Sequence, residues 1–251
     1  MYEDVIKALV WANTSPDVHV ALLGGLGTYY SSGNDLSNFA QASDLSIEER
    51  VKVSSDKLYR FVDAFVKFKK PLIAAVNGPA IGVAVTTLGL CDIVYAHPSA
   101  WFQTPFSALG QSPEGCSSYV FPQIMGPGPA NEVLCDFVRV LRHIFAKLKM
   151  LCRIVRTLQV LMLGRKITAT EAVERRLVTR VLAIDDHAIF LKEAKGLAAQ
   201  LAALPFKSLL ATKRLCRDQA MVDLLDRVNR AECTILEERW YVHHLSACQT
   251  L

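Results

Sequence analysis

The stretch Ser31-Ser32-Gly33-Asn34-Asp35-Leu36 decides the reading of this chain when set beside Asn77-Gly78-Pro79-Ala80-Ile81-Gly82-Val83 and Gly110-Gln111-Ser112-Pro113-Glu114-Gly115. Each of the first two follows an apolar run of strand character, Val18 to Leu23 and Pro71 to Val76, and opens a helical pattern. At a strand-to-helix turn the first backbone N–H groups have no partner within the helix, so they are available to an anion. Two such turns side by side would make an oxyanion hole. The third segment offers a carboxylate: Ser112 reads as an N-cap, Pro113 as the first helical position and Glu114 as a first-turn residue held at a helix N-terminus. Taken alone, such an acidic residue is more simply a surface group complementing the helix dipole.

Working outward, a helix over about Tyr2 to Ala12 leads into the first strand. Ser46 to Phe68 carries apolar residues at helical spacing (Val51, Val53, Leu58, Phe61, Val62, Phe65, Val66). A buried-strand run at Leu72 to Val76, a helix at Ile81 to Leu90 and a strand at Asp92 to Ala96 follow. Alternation of this kind predicts an α/β layered core. Ile124-Met125-Gly126-Pro127-Gly128-Pro129 breaks the pattern, Thr168-Ala169-Thr170-Glu171 has the form of a helix-capping start, and the chain reads as helical from Asp185 nearly to Trp240.

Composition narrows the function classes. With 251 residues, 51% hydrophobic and 21% charged, the chain can bury one sizeable core. No apolar run approaches the roughly 20 residues that span a bilayer, and the N-terminus has neither a basic nor an apolar leader region, so an unsecreted chain is expected. Seven cysteines without a Cys-x-x-Cys pair predict reduced thiols rather than a disulfide framework or a zinc site. The net charge of +4 is local: Cys135 to Val160 carries Arg139, Arg142, Lys147, Lys149, Arg153 and Arg156 against Asp136, which leaves the remainder nearly neutral and gives no nucleic-acid signature. Those cations alternate with apolar residues at three- and four-residue steps, a basic amphipathic helix pattern. An extra helix packing on the body is the plainer reading of it, and contact with an anionic membrane surface the alternative. Gly25-Leu26-Gly27-Thr28-Tyr29-Tyr30 departs from a dinucleotide loop at its third glycine position, and the six histidines lack ligand spacing, so no metal is expected.

The ordered motifs carry a resemblance. Tyr29 to Leu36, Lys70 to Gly82, Leu90 to Ala96 and Thr104 to Ser118 together resemble the crotonase, or enoyl-CoA hydratase/isomerase, superfamily, and are most similar to its Δ3,Δ2-enoyl-CoA isomerase branch. The resemblance implies an α/β crotonase (ClpP-like) spiral core of β-β-α units with a helical C-terminal region. It also implies an acyl-CoA thioester as substrate, its carbonyl oxygen held between the backbone N–H groups of Asn34 and Val83. Ser31, Ser32, Gly33, Asn34, Asp35, Leu36 and Gly82 form the substrate-binding set, with Gly33 and Gly82 allowing close approach of main chain to ligand. Glu114 is then the catalytic residue, moving a proton from C2 to C4 of a 3-cis- or 3-trans-enoyl-CoA to give the 2-trans isomer of fatty acid β-oxidation. The two carboxylates that hydratases use match Thr86 and Phe106, neither of which takes a proton, which favours isomerisation over hydration. No cofactor is implied, coenzyme A being part of the substrate, and a homotrimer is.

The same comparison divides the chain into a core (1–134), a basic insertion (135–160) and a helical C-terminal lid and trimerisation region (161–251). Relative to the family, the first strands, most of the final helix and a Ser-Lys-Leu-type peroxisomal triplet are expected to be missing. Peroxisome or mitochondrion is the compartment that resemblance suggests, and cytoplasm the one suggested by the lack of a visible signal. The competing functional reading is a catalytically inactive acyl-CoA-binding or protein-interaction module, a truncated splice product or one akin to the chromodomain Y-like proteins, which share the Ala100-Trp101-Phe102-Gln103-Thr104-Pro105 type of segment.

Overall fold

Strand β2 (Leu72–Val76) is the centre from which the fold is built, and each of its residues is buried. In the computed structural model, which describes residues 1–34, 45–126 and 164–248 with side chains as far as Tyr241, β2 lies between β1 (Ala21–Gly24) and β4 (Ile93–Ala96). A short β7 (Arg180–Val181) completes a four-stranded parallel sheet in the order β1-β2-β4-β7. A parallel sheet is covered on both faces, which is why β2 reads as an unbroken apolar run. Ala74 and Val76 face one core cluster and Ala75 another, in keeping with the two-residue period of a strand.

A second, smaller sheet stacks beyond the first cluster: β3 (Ala80–Ile81) pairs parallel with β5 (Trp101–Gln103), which pairs antiparallel with β6 (Ile167–Thr168). The chain therefore runs β2-β3-helix and then β4-β5-helix, placing one strand in each sheet at every turn. This is the β-β-α spiral that the resemblance implies. Phe102, Phe121 and Ile167 fill the space between the sheets.

Helices cover the outer faces. Helix α1 (Tyr2–Thr14) and α2 (Ile47–Val66) pack together. Ser46 starts α2 through a capping box, its hydroxyl accepting from the Glu49 N–H at 3.2 Å and the Glu49 carboxylate accepting from the Ser46 N–H at 2.8 Å. After β3 come the four-residue helix α3 (Val83–Thr86) and a 3-10 turn (Thr87–Leu90), then α4 (Ser117–Met125) and α5 (Ala169–Glu174), the latter capped by Thr168 as the sequence predicts. Helices α6 (His187–Ala202), α7 (Phe206–Cys216) and α8 (Gln219–Cys248) make up the helical C-terminal region. Helix α8 lies along α2, where the Tyr59 hydroxyl donates to Asp226 at 2.6 Å. No helix among the described residues is long and apolar enough to cross a membrane.

Two local expectations are corrected. The first strand begins at Ala21 rather than Val18, because Val18 N–H turns back to the Ser15 carbonyl at 3.4 Å. The helix expected over Ile81 to Leu90 starts only at Val83: Ile81 belongs to β3, and Gly82, at φ 60° and ψ −126°, has a backbone no helix contains. The insertion at 135–160, with any membrane contact through it, lies outside the described residues.

Candidate active site

The site forms where β2 ends. Asn77, fully buried, follows the strand and holds the preceding loop with both ends of its amide: Oδ1 accepts from the Gly25 N–H at 3.0 Å and Nδ2 donates to the Gly27 carbonyl at 2.7 Å. The loop is thereby laid along Pro79 to Gly82. Tyr30 N–H donates to the Pro79 carbonyl at 3.0 Å, and Ile81 N–H to the Ser31 carbonyl at 3.0 Å. Thus the first two sequence motifs do run side by side. Gly33, at φ 84°, leans so closely on this strand that a Cβ there would stand 2.6 Å from the Ile81 carbonyl oxygen and 3.8 Å from Gly82 Cα. Asn34, the next residue, is half-buried. Ser31 is half-buried, its hydroxyl accepting from the Gly33 N–H at 3.2 Å, and Ser32 is exposed. Asp35 and Leu36 lie outside the described residues.

Glu114 reaches the same turn from the other side. It is 6% exposed, and its Oε1 lies 3.7 Å from where a Gly82 Cβ would be. The Val83 N–H, first of α3, favours the charged form of the Glu114 carboxyl. One of the two N–H groups assigned to the oxyanion hole therefore acts on the assigned base.

The helix expected to begin at Ser112 does not. Gly115 (φ 69°) and Cys116 (φ 61°) both lie in the left-handed region, so a right-handed helix can form only after them, and α4 starts at Ser117. Glu114 stands in the loop before it, and its own carbonyl accepts from the Ser117 hydroxyl at 2.7 Å. Burial rather than a helix end governs its proton affinity. The Glu114 carboxyl is pushed up to about 8, first by desolvation and then by the neighbouring Glu232 carboxylate, with the Val83 N–H opposing both.

Glu232, on α8, is the residue that sequence reasoning missed. Only 5% exposed, it accepts from the Cys116 N–H at 2.7 Å and the Ser118 N–H at 2.9 Å, taking the N-terminal donors of α4 from across the fold. Its signal was there: an acidic residue on the buried stripe of a helix, between Leu225 and Leu236. Tyr2 of α1 also borders the site, stacked on Phe61 at 4.3 Å, with its hydroxyl buried and raised in pKa by desolvation and the Glu114 charge. Thr86 and Phe106 are buried, and the Thr86 side chain packs under Gly115. The position beside Glu114 that matches a hydratase carboxylate thus holds a hydroxyl that donates to the Val83 carbonyl at 3.2 Å. A buried carboxyl, a backbone N–H and an apolar surround, with no second acid at Thr86 or Phe106, suit proton abstraction beside a carbonyl. A separate cavity of about 980 Å³, lined by Phe68, Lys69, Lys207, Lys213, Arg214 and Arg217 among others, opens at the opposite end of β2.

Residues 1–139 match the enoyl-CoA hydratase/isomerase family. The chain is 41% identical over 240 residues to enoyl-CoA delta isomerase 2 of Homo sapiens, covering 96% of this chain and 53% of that protein. It is 35% identical over 236 residues to the chromodomain Y-like protein of Homo sapiens, covering 94% of this chain and 34% of that one. The chain thus spans about half or less of the length of these curated relatives. Among solved structures, the enoyl-CoA hydratase/isomerase of Pseudoalteromonas atlantica T6c superposes with a TM-score of 0.73 at 30% identity, over 95% of this chain and 79% of that one.

Proposed function

Because the chain belongs to the enoyl-CoA hydratase/isomerase family, we propose that it is a Δ3,Δ2-enoyl-CoA isomerase with Glu114 as its single proton carrier. The observation that carries this reading is the buried Glu114 carboxyl against the Gly82–Val83 turn, with no acid at Thr86 or Phe106. In the proposed reaction the thioester oxygen takes the Val83 N–H away from Glu114 and accepts a second N–H from Asn34. Losing that hydrogen bond makes the Glu114 carboxylate a stronger base as the substrate arrives. Glu114 removes a proton from C2, and the electron pair of that C–H bond spreads over a dienolate whose oxygen the two N–H groups meet. Each such donor is worth roughly 10²–10³ in rate. Return of the same proton to C4 leaves the double bond between C2 and C3, and no water or second acid is needed. A base titrating near neutrality suits the task, since it is still ionised to a useful extent and holds the proton firmly.

The homotrimer belongs to the same proposal and is checked by light scattering on the purified chain. A spectrophotometric assay with 3-hexenoyl-CoA, comparing wild type with Glu114→Gln, tests the chemistry. Equal rates would remove Glu114 from its role. The second reading, an acyl-CoA-binding or interaction module, is favoured by the likeness to the chromodomain Y-like protein. Tight binding of the acyl-CoA without turnover by the wild type would establish it.

A further inference from the structure

We infer that Glu232 is a positioning residue of the active site, its carboxyl fixing the Gly115–Cys116 bend that aims Glu114 and setting that residue's proton affinity. The inference deepens the isomerase reading and rests on it only for its kinetic arm.

The geometry divides the roles of the two carboxyls. Glu232 accepts the N–H groups of Cys116 and Ser118 and is also bonded by the Ser118 side chain. Glu114 has the Val83 N–H. In a buried pair that cannot comfortably hold two charges, the member with more donors ionises first and the other keeps the proton. Burial raises both carboxyls, and the two N–H groups on Glu232 favour its ionisation over that of Glu114. The other groups facing this pair do not alter the assignment. Tyr2 from α1 and the thiols of Cys116 and Cys233 are held neutral, burial raising the pKa of each. Arg217, whose charge reaches Cys116, is tied to the Leu90 carbonyl at 2.9 Å. The bend itself needs an outside support: Cys116 occupies a left-handed conformation that disfavours a residue with a Cβ, and its N–H points at Glu232.

The test uses the full chain and two readouts. Infrared titration follows the protonated-carboxyl band that Glu114→Gln removes, and the pH profile of kcat/KM with 3-hexenoyl-CoA is taken on the same proteins. In wild type the band titrates near pH 8. In Glu232→Gln its midpoint falls by about one pH unit, because the neighbouring charge is gone, and the acidic limb of the rate profile moves with it. Glu232→Asp, which keeps the charge, stays closer to wild type. Ser118→Ala, at an exposed position, weakens only the hold of Glu232 on its charge and shifts the midpoint the same way by less, so it serves if Glu232→Gln does not fold. A Glu232→Gln protein that merely melts earlier while the Glu114 midpoint stays fixed, or an unchanged midpoint in Ser118→Ala if only that variant folds, would overturn the inference. Absence of turnover in wild type with the midpoint shift intact would instead sink the isomerase reading and leave the coupled pair standing.

Discussion

Asn77 Oδ1 and the Gly25 N–H, 52 residues apart in sequence, meet at 3.0 Å and join the two strand-to-helix turns into one surface. Asn77 is fully buried, and its amide links the end of β2 to the glycine loop at both ends. Replacing it with Ala leaves the Gly25 N–H and Gly27 carbonyl without their partner, at a cost of about 2–4 kcal/mol. The midpoint of urea unfolding should fall accordingly. Isomerase kcat/KM should fall further than stability alone explains, since the loop that presents Asn34 is released.

Gly33→Ala tests the close approach of the two turns. Its Cβ would stand 2.6 Å from the Ile81 carbonyl oxygen, at a backbone φ of 84° that strains an L-residue. Strain of about 1–3 kcal/mol follows, and the loop is pushed away from the Ile81 carbonyl. Turnover of 3-hexenoyl-CoA should drop at least tenfold. Gly27→Ala, where φ is also positive but a Cβ meets nothing within 4 Å, should leave turnover nearly unchanged.

Glu114 also sets a pH dependence of stability. Its folded-state value is about 8 against an ordinary 4.5, so between these pH values the native state binds more protons than the unfolded one. Stability from this group is full below about pH 4.5 and is lost as pH rises toward 8. Glu114→Gln removes the loss. Thermal melts should show the variant gaining on wild type from pH 5 to pH 8, by an amount on the order of a few kcal/mol at the upper end. Its kcat should fall by roughly 10²–10⁴, the usual contribution of a positioned acid–base group.

Thiol reactivity offers a check on the core that is independent of catalysis. Cys216 is exposed, whereas burial pushes Cys91 and Cys233 up to about 12 and raises Cys116 as well. Brief alkylation at pH 7.5 followed by peptide mass mapping should label Cys216 well before these three. Early labelling of Cys116 would mean that α8 does not close over α4.

Much of this arrangement was legible in the residue order. The apolar run at Leu72–Val76 announces a strand covered on both faces, and Ser46 with Glu49 or Thr168 with Glu171 announces a helix start, because these signals act within a few residues. The motifs around Gly33 and Gly82 are legible for the same reason. The start of α4 was not. Ser112-Pro113-Glu114 has the chemistry of a helix N-terminus, yet the bend at Gly115–Cys116 overrides it with help from Glu232. The pKa of Glu114 was equally out of reach, since it depends on which distant groups bury it. Local rules name the parts of the site and tertiary contacts set their proton affinities.

The Glu232–Cys116 bond spans 116 residues, so the acid loop depends on a helix that leaves the ribosome long after it. A ribosome-bound chain that has emerged only through α7 already contains Gly33, Gly82 and Glu114 but no anchor for the bend between them and α4. The bend therefore gains its support only when α8 docks, however well the sheet has already formed.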